Sequence, residues 1–123
     1  MIKENFKISV FLILFLIVNC FAQEKTTVKK VFFLAGQSNM DGRADADQIS
    51  DADLKRLDAV KDRIQFYYNG KKGVPLQISL AEKHIQKRYN LKHFFGPEIF
   101  FGIELAEKYP NEEFIFIKKS SMN

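Results

Sequence analysis

The segment Val31-Phe32-Phe33-Leu34-Ala35-Gly36-Gln37-Ser38-Asn39-Met40 decides the fold. Its apolar run shows no polar alternation and stops at a glycine, which predicts a strand buried on both faces, as in a parallel sheet. Gly36 permits a tight turn without a Cβ penalty, and Ser38 then stands at the strand's carboxyl end. Open α/β sheets place their chemistry at that end. A serine becomes a nucleophile there when a base takes its proton and nearby donors stabilise the oxyanion. Its alternative role is an N-cap that opens a helix.

Working outward, Ser50 to Val60 predicts a short helix, with Ser50 and Asp53 resembling a capping box and Leu54 and Leu57 as its apolar points. Ile64, Phe66 and Tyr68 alternate within Arg63 to Tyr68, a second strand that ends at Asn69-Gly70. Lys71 to Phe95 gives loops and a helix near Ala81 to Tyr89. Pro97 suits the first turn of a further helix, and Glu98 lies near the positive end of its dipole. Ile99, Ile103 and Ala106 form an apolar stripe, Gly102 permits close packing, and Tyr109-Pro110-Asn111 ends the helix. Glu113 to Ile117 is a third strand. This order of elements predicts α/β architecture, the opening half of a doubly wound sheet with right-handed crossovers.

The spacing Gly36-x-Ser38 approaches the Gly-x-Ser-x-Gly elbow, but position 40 is Met and Gly42 comes two residues late, so the α/β-hydrolase pattern does not fit. Gly36-Gln37-Ser38-Asn39-Met40 instead resembles the first block of the SGNH (GDSL-like) hydrolases. The likeness is to the sialate O-acetylesterase and acetyl xylan esterase branch, where Gly-Gln-Ser-Asn-Met replaces Gly-Asp-Ser-Leu. Asp41-Gly42-Arg43 continues the match, and Phe95-Gly96-Pro97-Glu98 supplies a second block. The resemblance runs from about Val28 to Ile117 and implies the N-terminal portion of a three-layer α/β/α doubly wound parallel sheet, the flavodoxin-like SGNH hydrolase fold.

The resemblance also implies ester hydrolysis. Ser38 would attack an acetyl carbonyl, and its own backbone N–H would be one oxyanion donor. Further donors would come from a glycine after the third strand and an asparagine or glutamine in a later block, and the base from an Asp-x-x-His block. Here Lys118-Lys119-Ser120 follows the third strand in place of a glycine pair, and no Asp-x-x-His occurs. The expectation is therefore a truncated chain, with residues 23–123 the N-terminal fragment of an SGNH domain. Sialic acid or an acetylated polysaccharide would be the substrate. The competing expectation is a non-catalytic fragment or carbohydrate-binding remnant. A sheet cut after its third strand would leave Phe32, Phe33, Phe66, Phe114 and Phe116 partly unprotected, and the chain marginally stable.

At 123 residues the chain holds one domain at most. Lys3 and Lys7, the apolar stretch from Ile8 to Val18 and Ala22 have the three-part form of a secretory signal peptide over residues 1–22, so export is expected. That stretch is too short for a stable membrane span. Cys20, the sole cysteine, follows Asn19, a poor context for lipidation. The net charge of +4 is scattered in pairs such as Lys71-Lys72, Lys87-Arg88 and Lys118-Lys119 without interleaved aromatics, which argues against nucleic acid as a partner. The acidic stretch Asp41 to Asp62 fails the EF-hand spacing and is taken as a solvated loop and helix face, so no metal and no cofactor are expected. His84 and His93 stand in polar or connecting segments and are not assigned as the base. Glu98 is assigned to helix N-terminal electrostatics over a role fixing the Gly-Pro-Glu turn, and Asp41 and Arg43 to the nucleophile's surroundings.

Overall fold

The computed structural model describes residues 28–120, so the expected leader, Cys20 and residues 121–123 lie outside it. In chain order the elements are β1 (Lys29–Gly36), α1 (Ser38–Asp41), β2 (Ala44–Asp45), α2 (Asp51–Val60), β3 (Ile64–Tyr68), β4 (Val74–Pro75), β5 (Ser79–Leu80), α3 (Lys83–Tyr89), β6 (His93–Phe95), α4 (Glu98–Lys108) and β7 (Glu113–Ser120). The main sheet has the order β1-β7-β3-β4. Its first three strands are parallel, and β4 runs antiparallel along β3. A smaller antiparallel sheet, β2-β6-β5, stands beside it. The α/β class expected from the sequence is the one observed. Within it the last strand, not the first, occupies the centre of the parallel set, and the small sheet was not legible in Lys71 to Phe95.

Strand alternation decides which face is covered. The register aligns Phe32, Phe116 and Phe66 across β1, β7 and β3, and Phe114 with Ile64. These side chains share a core with Leu57 and Val60 of α2, Leu76, and Ile99, Ile103 and Ala106 of α4. Phe116 stacks on Phe101 with ring centroids 5.3 Å apart and meets Phe32 edge-on at 5.8 Å. The stripe expected for α4 is the one that packs. On α2 the contacts are Leu57 and Val60, whereas Leu54 stays exposed, a correction to its assignment as an apolar point.

Two further expectations are corrected. β1 is not buried on both faces: it is an edge strand, with Val31 47% and Phe33 75% exposed. Both long helices pack on the opposite face, so only Phe32 and Leu34 of β1 reach the core. Phe66, Phe114 and Phe116 are fully covered rather than partly unprotected, because they point at α2 and α4.

Local chemistry fixes the helix ends. The Ser50 hydroxyl accepts the Asp53 N–H at 3.1 Å and donates to the Asp53 carboxylate at 2.8 Å. The carboxylate thus returns to the serine hydroxyl and not to its backbone N–H, as a full capping box would require. Arg63 donates to the carbonyls of Ala106 and Tyr109 at 2.8 and 3.1 Å, a cation at the negative end of α4. Asn69 and Gly70 both have positive φ, 48° and 77°, and turn the chain from β3 toward β4.

Gly102 lies where α4 crosses the sheet, and a Cβ there would meet Leu76, with Ile64 at 3.1 Å and Phe116 at 3.2 Å. Gly102→Val should lower stability by about 1–3 kcal/mol through overpacking. Phe33→Thr, on the open face, should shift the melting temperature far less. Thermal melts of the two variants check both outcomes.

Candidate active site

Ser38 is exposed and opens the short helix α1 immediately beyond the carboxyl end of β1. The turn is closed by hydrogen bonds of 3.0 Å from the Met40 and Asp41 N–H groups to the Gln37 carbonyl, and from the Gly42 N–H to the Ser38 carbonyl. Gly36 is needed for space, because a Cβ there would lie 2.9 Å from the Met40 Cβ. Gly42 combines a φ of 77° with backbone contact: a Cβ would strike the Phe95 carbonyl and the Gly96 backbone. The two sequence blocks around Ser38 and Pro97, remote along the chain, therefore touch through two glycines.

Asp41, the last residue of α1, is 3% exposed. Its Oδ1 accepts from the Ser120 hydroxyl at 2.6 Å and from the Tyr68 hydroxyl, and Arg43 forms an ion pair with Oδ2. Burial pushes the Asp41 carboxyl up, but the bonds from Ser120 and Tyr68 and the charges of Arg43 and Lys118 outweigh it. The group is held below its ordinary value. Burial and the bond to Asp41 push the Tyr68 phenol above its ordinary range. The Arg43 guanidinium lies 4.8 Å above the Phe94 ring and 5.7 Å from that of Tyr89.

Below this cluster lies Lys118, whose ammonium is 2.6 Å from Glu98 Oε2 and donates to the Asp41 carbonyl at 2.9 Å. Both side chains are 2% exposed. Glu98 Oε1 accepts the Gly96 N–H at 3.1 Å. Glu98 thus fixes the Gly-Pro-Glu turn, which corrects its assignment to helix electrostatics alone. Asp41 is likewise no part of a solvated acidic face, and Lys118 is no surface charge.

A cleft of about 960 Å³ opens where the main sheet meets the small one. Asp41, Arg43, Tyr68 and Ser120 line it together with Lys71, Lys72, Leu80 and His84. Ser38 is on the same turn as Asp41 but is not among the lining residues. His84 is exposed, with Nδ1 3.6 Å from Glu82, and His93 bonds Asp47 at 3.0 Å. Among the described residues no group of three or more His, Cys, Asp or Glu side chains could hold a metal, and no helix is long and apolar enough to cross a membrane.

A polar, partly buried cluster at the carboxyl ends of the parallel strands thus joins both sequence blocks. Residues 28–120 match a family model described as carbohydrate esterase, sialic acid-specific acetylesterase. The chain belongs to this family. No curated protein and no solved structure matches it. The family places a carbohydrate ester as the general substrate of the esterase.

Of the residues singled out in the sequence, the fold brings Ser38, Asp41, Arg43 and Glu98 onto two touching segments. Tyr68, Lys118 and Ser120 were missed. A period-two signal was present: Phe114, Phe116, Lys118 and Ser120 fall on one strand face, so two core phenylalanines point to an inward lysine.

Because the Asp41 pKa is lowered on folding, its contribution to stability is complete above the unfolded value and is lost as pH falls through the folded one. Between about pH 5 and about pH 2 the melting temperature of the wild type should fall more steeply than that of Asp41→Asn. Thermal melts across that range give the comparison.

Proposed function

We propose that the chain carries the nucleophile of an acetylesterase that removes O-acetyl groups from sialic acid or an acetylated polysaccharide. The observation that carries this reading is an exposed Ser38 at the mouth of the parallel strands, on a turn whose far end borders the cleft. Ser38 Oγ would attack the acetyl carbonyl carbon as a base takes its proton. The sugar oxygen would leave with a proton, and water would then cleave the acyl-serine to acetate and free enzyme. The Ser38 backbone N–H belongs to the first turn of α1, where N–H groups have no partner within the helix, which suits it to an oxyanion.

The family resemblance assigns the base to an Asp-x-x-His block, and residues 1–123 contain none. The reading therefore gives this chain the nucleophile half of the site, within the N-terminal part of an SGNH domain. The lysine-flanked apolar stretch before residue 22 supports export to a compartment where acetylated glycans are met.

Acetate release from O-acetylated sialic acid and from acetylated xylan, measured on the full-length natural protein, tests the reading. Ser38→Ala should reduce turnover by about 10⁴-fold or more, as loss of a serine nucleophile does in other hydrolases. Equal rates from the two proteins would remove Ser38 from the chemistry.

A further inference from the structure

We propose that Lys118 and Glu98 act as a pair of positioning residues that set the Ser38 turn by gripping the Asp41 carbonyl. The inference rests on Ser38 being the nucleophile. Ser38 and Asp41 are the two ends of α1, and hydrogen bonds from Asp41 and Gly42 back to Gln37 and Ser38 make the turn one unit. Whatever fixes Asp41 fixes the orientation of Ser38.

Asp41 is held at two points. Its carboxylate is taken by Ser120, Tyr68 and Arg43, and its main-chain carbonyl by the Lys118 ammonium at 2.9 Å. The ammonium is itself fixed by Glu98 at 2.6 Å and lies 5.0 Å from the centre of the Tyr68 ring. Glu98 cannot shift alone, because its other oxygen carries the Gly96 N–H. A Cβ on Gly96 would fall 2.8 Å from the Lys118 ammonium and 3.1 Å from the Asp41 carbonyl oxygen, so the loop is closed down onto the pair. The chain of contacts from α4 to the nucleophile is continuous.

Stability alone gives no reason for this arrangement. Apolar residues of similar volume often replace a buried ion pair without loss of stability. They cannot donate to the Asp41 carbonyl, however, and the turn would then pivot on the carboxylate contacts alone. A displacement of about 1 Å at a reacting group is enough to reduce turnover by about 10²-fold.

The test uses the full-length protein with Lys118→Met, the double variant Lys118→Met/Glu98→Gln, and Ser38→Ala in the same acetate-release assay. Lys118→Met alone should melt far below the wild type, since it strands a buried carboxylate. The double variant is neutral, keeps the acceptor for Gly96, and should recover most of that loss. Its kcat should nevertheless stay about 10²-fold low with KM within about twofold of wild type. Hydrogen exchange of the Asp41 and Gly42 amides should also quicken while that of β3 does not.

A folded double variant with wild-type kcat, alongside an inactive Ser38→Ala, overturns the positioning role and leaves the nucleophile in place. An active Ser38→Ala overturns both. Should the double variant not fold, Glu98→Gln alone decides. It keeps the Gly96 bond but removes the countercharge, and an unchanged kcat in that folded protein overturns the proposal.

Discussion

An ammonium group withdrawn from water must be matched by an opposite charge and satisfied hydrogen bonds, or its burial costs several kcal/mol. Lys118 meets that condition with one carboxylate and one main-chain carbonyl, supplied by segments far apart in sequence. The Glu98 carboxylate comes from the first turn of α4 and the carbonyl from the end of α1. The two loops close until Gly42 and Gly96 leave no room for a side chain between them. The polar interior at the strand ends is organised around this match, and the hydrophobic core lies further down the same sheet face.

The same face therefore changes character along its length. Ile64, Phe66, Phe114 and Phe116 lie under the helices, and one step further on the strands present Tyr68, Lys118 and Ser120. The change occurs at the carboxyl end of the parallel strands, where α/β folds place ligands. It also explains how Asp41 can be buried and still ionised: three side-chain partners replace the water it gave up.

Much of this was legible in the sequence, in pieces. Short-range signals held: the Ser50 cap, the alternation in Ile64 to Tyr68, the Ile99-Ile103-Ala106 stripe and the small residue at 102 are all decided within a few positions of themselves. The block around Ser38 and the block around Pro97 were each visible, but nothing local said that they touch. Their contact depends on Lys118, whose partners are 20 and 77 residues away. Beside Lys119 it looked like one more solvated charge. The face exposure of β1 was misjudged for a related reason. A run of apolar residues reports affinity for a covered surface, whereas the position of a strand in its sheet is set by the whole chain. Within Lys71 to Phe95 the helix expected near Ala81 to Tyr89 is present as α3, but the strands were opaque because they are too short for a periodic pattern.

The sheet order carries a consequence for biosynthesis. β1 and β3 share no ladder with each other; β7 is wedged between them and bonds to both. A nascent chain emerging from the ribosome N-terminus first exposes Ser38 well before it exposes the strand that braces the serine's turn. Throughout that interval the turn lacks its Lys118 and Ser120 partners, and arrival of β7 joins β1 to β3 and supplies both in a single event.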